Sequence, residues 1–173
     1  FVRESPSGQN YERLAGEINR ALAFMRACGS DPQELRSVEL YSSHEALLLD
    51  YEQALTRTGS RTGSRTGRAY DGSAHFLWIG ERTRDLGGAH IAFARAIGNP
   101  LGVKLGPSTT PGEALALAAT LNPGGVPGRL TFITRMGAAR IRSVLPPLVR
   151  AVAATGTPVA WICDPMHGNT ITA

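Results

Sequence analysis

The sequence predicts an α/β fold with parallel strands. From residue 75 onward, compact apolar runs of strand length alternate with longer stretches of helical periodicity. Strands that recur after intervening helices run parallel, because a crossover helix returns the chain to the same edge of the sheet. A barrel and an open doubly wound sheet both satisfy this pattern. At 173 residues the chain is long enough for one domain with a real core, and short for most complete barrel or two-domain enzymes.

The elements follow in order. Leu14, Ile18, Leu22 and the pair Phe24 and Met25 recur at helical spacing between Tyr11 and Cys28, which predicts a helix with one buried face that Gly29 closes. "SVELYSS" predicts a short strand, and "HEALLLDYEQALTR" a helix beginning as that strand ends. Residues 57–72 carry a T-G-S-R repeat without a hydrophobic period to bury, so they predict a flexible linker. The strands "HFLWIG", "LGVKLG", "GRLTFIT" and "PVAWIC" then alternate with the helices "GGAHIAFARAIG", "PGEALALAATL" and "GAARIRSVLPPLVRAVAATG".

Composition excludes several classes of function. The formal charge is +4, but the arginines are scattered and no aromatic residues interleave with them, so no nucleic-acid surface is expected. No stretch has the apolar length of a membrane span, and none is a signal peptide. Cys28 and Cys163 form no disulfide framework, which predicts a reducing, cytoplasmic setting. Neither a G-x-G-x-x-G turn after a strand nor a G-x-x-x-x-G-K-[ST] loop is present, so a bound nucleotide is not expected. Lys104 is the single lysine among 18 basic residues; a compact ammonium at one place in an arginine-rich chain suits close contact with a ligand.

Parallel α/β folds build their sites at the carboxyl ends of the strands. The first strand runs into His44 and Glu45, the second into Glu81 and Arg82, the third carries Lys104, the fourth ends at Arg135, and the fifth leads through Asp164 to His167. Two guanidinium groups and one ammonium converging there predict a receptor for a small anion bearing phosphate and carboxylate. Arg82 and Arg135 offer forked donors to phosphate oxygens, and Lys104 a point charge to a carboxylate. Glu45 and Glu81 are acids, bases or counter-charges.

In "WICDPMHGNT", Cys163 and His167 read on paper as a metal pair, a nucleophile with its base, or the polar end of a buried strand. The strand context favours Cys163 as packing, and Asp164 with Pro165 as a turn that leaves His167 free to face the mouth of the fold.

The long strings "FLWIGERTRDLGGAHIAFARAIGNPLGVKLGPSTTP", "PGRLTFITRMG", "WICDPMHGNT" and "YSSHEALLLDYE" resemble the class II, plant-type 3-deoxy-D-arabino-heptulosonate 7-phosphate (DAHP) synthases, in order and over nearly the whole chain apart from the linker. The resemblance implies a (β/α)8 barrel with added helices, here about five βα units with an added helical segment over 1–35. It implies condensation of phosphoenolpyruvate with erythrose 4-phosphate, the opening step of the shikimate pathway to aromatic amino acids, in the bacterial cytoplasm and in a homo-oligomeric enzyme. By motif, Glu81, Arg82, Lys104 and Arg135 match phosphoenolpyruvate-binding positions, with the phosphate on Arg82 and Arg135 and the carboxylate on Lys104. His167 matches a ligand of a divalent metal, usually manganese or cobalt, and Glu45 an acidic residue near the same pocket. Glu45, Glu81 and Lys104 are the catalytic candidates.

Other features of the family's pattern have no counterpart here: a metal-binding Cys on the first barrel strand, a Glu and an Asp after the H-G-N-T motif, and an Arg on the second strand. Cys28 aligns with an added helix and does not replace that Cys. The expectation is therefore a partial synthase chain that does not turn over alone. The alternative is an inactive remnant that binds phosphorylated ligands or a complete synthase subunit.

Overall fold

In the computed structural model, residues 6–29, 40–58 and 68–169 are described. The chain divides into two compact units, residues 1–40 and 41–173. Within the first, helix α1 (Pro6–Ala27) ends as expected: Gly29, at φ +86°, donates its N–H to the Arg26 carbonyl. The expected buried face is not buried. Tyr11, Leu14, Ile18 and Phe24 are each more than half exposed.

The second unit is built on five parallel strands in the order β1 (Ser43–Glu45), β4 (Phe76–Ile79), β5 (Leu101–Leu105), β6 (Leu130–Thr134), β7 (Ala160–Cys163). Helices α3 (Ala89–Ala96), α4 (Pro111–Leu121) and α5 (Ile141–Ala154) connect successive strands from β4 to β7. The α/β, parallel reading holds. Side chains alternate across the sheet. Leu77, Ile79, Leu101, Val103, Leu105, Leu130 and Phe132 turn to one face and form the core with Ile91, Leu117, Leu121 and Leu148 of the helices. Each such side chain contributes about 1.5–3 kcal/mol by leaving water. The other face carries Phe76, Trp78, Ile133 and Ile162 around a cavity of ≈ 490 Å³. Gly102 belongs to that face, where a Cβ would crowd Phe76, Trp78 and Ile133 at 2.8–2.9 Å.

Local signals and packing divide the work of forming the helices. A capping box begins α4: Thr110 Oγ1 accepts from the Glu113 N–H at 3.2 Å, and Glu113 Oε2 accepts from the Thr110 N–H at 2.7 Å. Those bonds hold the Glu113 carboxyl below its ordinary pKa. By contrast, α5 carries Pro146 and Pro147 in its interior, where each removes a backbone donor. It persists because Leu148 and Val152 are buried in the core.

Around β1 the expectations need correcting. The strand lies over Ser43–Glu45, so His44 and Glu45 belong to it, and of "SVELYSS" only Leu40–Ser43 are among the described residues. Helix α2 spans only Leu49–Leu55, since His44 and Glu45 belong to the strand before it and Thr56 begins another after it; within α2, Glu52 is buried. Its Oε1 lies 2.9 Å from His44 Nε2, and its Oε2 accepts from Ser73 Oγ at 2.7 Å. Asp71 is fully buried beside them, and desolvation raises its pKa against the Ser73 hydrogen bonds. The ends of the stretch read as a linker are paired: β2 (Thr56–Arg57) and β3 (Tyr70–Asp71) form an antiparallel ribbon, with 59–67 outside the described residues. Cys163, expected as buried packing, is exposed; its strand β7 stands at the end of the strand order among the described residues.

Candidate active site

Parallel strands place their carboxyl ends on one rim, and the candidate residues meet there. Glu45, Glu81, Arg82, Lys104, Arg135 and His167 all line one cleft of ≈ 300 Å³, together with Leu47, Gly80 and Thr83. Glu45 ends β1 and Lys104 lies within β5, while Glu81 and Arg82 occupy a single 3-10 turn after β4. Arg135 follows β6 and His167 follows β7.

The cations do not stand free in an open mouth, as convergence of charge alone would suggest. Arg135 Nη1 pairs with Glu81 Oε2 at 3.3 Å, and Lys104 Nζ with Asp164 Oδ2 at 2.8 Å. Lys104 also lies 5.7 Å from the centre of the Trp78 ring, over its face. Arg82 is exposed and has no partner among the described residues, so its fork is available to an incoming anion.

Glycines make room for the two acids. A Cβ on Gly80 would collide with the Glu45 carboxylate, and one on Gly106 with both carboxylate oxygens of Glu81. Gly106→Ala therefore pushes aside a flexible side chain rather than backbone. We expect near-wild-type thermal stability and a displaced Glu81, seen as a changed affinity for phosphoenolpyruvate in calorimetry.

Two residues absent from the sequence-based set shape the site. Arg84 approaches Glu81 Oε1 at 3.6 Å and Glu113 Oε1 at 3.5 Å, and donates to Thr109 Oγ1 at 3.1 Å. It ties the turn carrying Glu81 to the start of α4. Asp164 does form the expected turn, its Oδ1 accepting from the N–H groups of Met166 at 3.1 Å and His167 at 3.2 Å. Its Oδ2 in addition meets both Lys104 Nζ and His167 Nδ1 at 2.8 Å. Burial opposes its charge, but the hydrogen bonds from Lys104, His167 and Met166 outweigh this and hold the carboxyl well below the usual carboxylate range. The turn signal explained Asp164 locally, and only the approach of a lysine 60 positions earlier in the chain reveals its second role.

The loops after β6 and β7 are locked together. Gly137 and Gly168 adopt φ +72° and +83° and meet backbone to backbone. Asn169 Oδ1 accepts from the Ala138 N–H at 2.8 Å, and its Nδ2 donates to the Pro165 carbonyl at 2.8 Å. The glycine and asparagine of "HGN" thus fix His167 relative to Arg135.

His167 Nδ1 faces the Asp164 carboxylate, which only accepts, and Nε2 has no partner among the described residues. That arrangement fits a metal ligand. It is one ligand: among the described residues no three His, Cys, Asp or Glu side chains gather as a metal cage.

The sequence model of the Class-II DAHP synthetase family matches residues 1–173. The chain belongs to this family. It is 64% identical over its full length to a phospho-2-dehydro-3-deoxyheptonate aldolase of Streptomyces coelicolor, covering 38% of that protein. It is 57% identical over 98% of its length to a protein of the same name from Mycolicibacterium smegmatis, covering 37% of it. With a probable chloroplastic relative from Catharanthus roseus it shares 51% identity over 35% of that protein. The chain thus spans well under half the length of these DAHP synthetase relatives. Among the described residues, no helix is long and apolar enough to cross a membrane.

Proposed function

We propose that the cleft is the phosphoenolpyruvate-receiving part of a DAHP synthase, which joins phosphoenolpyruvate to D-erythrose 4-phosphate and releases phosphate. The observation that carries this reading is the meeting of Arg82, Arg135, Lys104, two carboxylates and His167 on one cleft of ≈ 300 Å³, in a chain of this family. On this reading the phosphate sits on the forks of Arg82 and Arg135, and the carboxylate on Lys104. Holding both anionic ends fixes C3 of the enol toward the aldehyde and offsets the repulsion between two phosphorylated substrates.

The new bond joins C3 to the aldehyde carbon, and the aldehyde oxygen takes a proton for which Glu45 is the acid at the cleft. Water then adds at C2, giving its proton to Glu81, which Arg84 and Arg135 keep in place. The bond from C2 to the phosphate oxygen then breaks with its electron pair on the phosphate, the C2 hydroxyl passes its proton to the departing phosphate as it becomes the ketone, and inorganic phosphate leaves on the arginines. A divalent metal at His167, manganese or cobalt, would supply Lewis-acid polarisation of the aldehyde. The setting on this reading is the bacterial cytoplasm, and the complete enzyme is a homo-oligomer with no nucleic-acid or membrane partner.

Lys104→Ala and Arg135→Ala are each expected to weaken phosphoenolpyruvate binding by about tenfold or more, the loss of a charge-assisted contact worth roughly 1.5–3 kcal/mol. Isothermal calorimetry reads this directly, and unchanged affinity in both variants overturns the assignment. A second reading, in which the chain binds phosphorylated ligands without turnover, fits the lack of any group of three or more metal-ligating side chains among the described residues. Phosphoenolpyruvate binding without phosphate release, with erythrose 4-phosphate and Mn2+ present, selects that one.

A further inference from the structure

We infer that Asp164 is a positioning residue that orients the anion-binding lysine and the metal-binding histidine through one oxygen. The inference rests on the reading of the cleft given above. Lys104 and His167 come from strands separated by β6, yet Asp164 Oδ2 lies 2.8 Å from each. The side chain of Asp164 is only 12% exposed, and its other oxygen is committed to the amides of Met166 and His167, so the carboxylate cannot rotate without losing the turn.

Two consequences follow for the site. Because the carboxylate accepts and does not donate, the neutral His167 ring carries its proton on Nδ1, leaving the Nε2 lone pair for a metal. Lys104 Nζ is meanwhile held over Trp78 on a side chain that lines the cleft and is only 14% exposed, with two further N–H donors for a substrate carboxylate. A ligand on either side group therefore acts on a carboxylate that the other shares, and whatever coupling results is reciprocal.

Asp164→Asn separates this role from the turn. The amide carbonyl can still accept from Met166 and His167, which directs the NH2 at Lys104 and His167 Nδ1. There it opposes the ammonium and donates to the ring, driving the ring proton to Nε2 and masking the metal-binding lone pair.

The test is nitrogen-15 NMR of the histidine-labelled chain at a pH where the ring is neutral, with His167→Gln assigning His167 among the 4 histidines. The wild-type chain is expected to show the proton on Nδ1, and Asp164→Asn to show it on Nε2. Paramagnetic broadening of the His167 ring by Mn2+ is expected to require on the order of tenfold more metal in the Asn variant. Phosphoenolpyruvate should bind the variant several-fold more weakly. A wild-type ring protonated on Nε2 overturns the inference without recourse to any variant, and so does an Asn variant with unchanged tautomer and unchanged Mn2+ response. If the tautomer behaves as expected but phosphoenolpyruvate binds neither protein, the positioning role stands and the substrate assignment fails.

Discussion

Arg129→Leu is expected to destabilise the second unit by on the order of 3 kcal/mol or more, read as a lower denaturant midpoint with an unchanged slope. Arg129 is 7% exposed and its guanidinium has no carboxylate partner among the described residues. It instead donates to backbone carbonyls: Nη2 to Ala94 at 3.0 Å and to Ile97 at 2.8 Å, Nε to Leu121 at 3.4 Å, and Nη1 to Asn99. These carbonyls close the ends of α3 and α4 and the approach to β5, where a helix leaves acceptors without internal donors. Burial, with the charge of Arg68 added, lowers the guanidinium pKa to about 10, which still leaves it charged at neutral pH. Leucine would fill much of the volume and donate nothing, stranding several buried acceptors that each cost about 1–3 kcal/mol when unpaired. Arg129 precedes β6, at the end of the sheet opposite the cleft, so the folded fraction should bind phosphoenolpyruvate as the wild type does. A variant as stable as wild type would show that these carbonyls find other donors.

Gly168→Ala should damage both stability and the site. Its φ of +83° lies in the left-handed region, costing an alanine about 1–2 kcal/mol, and the added Cβ would stand 2.7 Å from the Arg135 carbonyl oxygen and 2.9 Å from the Gly137 nitrogen. Both atoms are backbone, so relief requires the loops after β6 and β7 to part. Arg135 and His167 ride on those loops, and phosphoenolpyruvate affinity is expected to fall by tenfold or more, with a loss of about 2 kcal/mol or more in stability. Calorimetry and thermal unfolding measure the two effects separately. Gly106→Ala gives the contrast: the nearest atoms to its Cβ are the carboxylate of Glu81, a side chain rather than backbone, so function should shift far more than stability. Wild-type affinity in Gly168→Ala would mean that the loop contact does not set the spacing of Arg135 and His167.

The order of strands and helices from β4 to β7 was legible because each is strongly patterned and the connections are short. The residues facing the cleft were legible for the same reason: parallel strands put their carboxyl ends on one rim, so Glu45, Glu81, Arg82, Lys104, Arg135 and His167 could be collected without knowing any distance. Around β1 the reading slipped, because His44 and Glu45 have the local character of a polar helix start and instead end the strand, where His44 meets Glu52 of the following helix. The apolar stripe on α1 has the periodicity of a buried face, yet it stands exposed. Periodicity reports which residues can share a face, not what covers it.

Sequence by itself determined the α/β class, the parallel direction of the strands and the chemistry offered at the rim, since each depends on residue type and short-range spacing, while the family came from the resemblance of whole strings. Only the tertiary structure decided how that chemistry is paired: Glu81 between Arg84 and Arg135, Asp164 between Lys104 and His167, and Gly137 against Gly168. Glu81 with Arg135, Asp164 with Lys104, and Gly137 with Gly168 join residues from different strand ends, up to 60 positions apart, and local spacing carries no record of them. Hydrogen bonds act over about 3 Å, so which charges neutralise each other and which remain free for a ligand is settled when the strands pack.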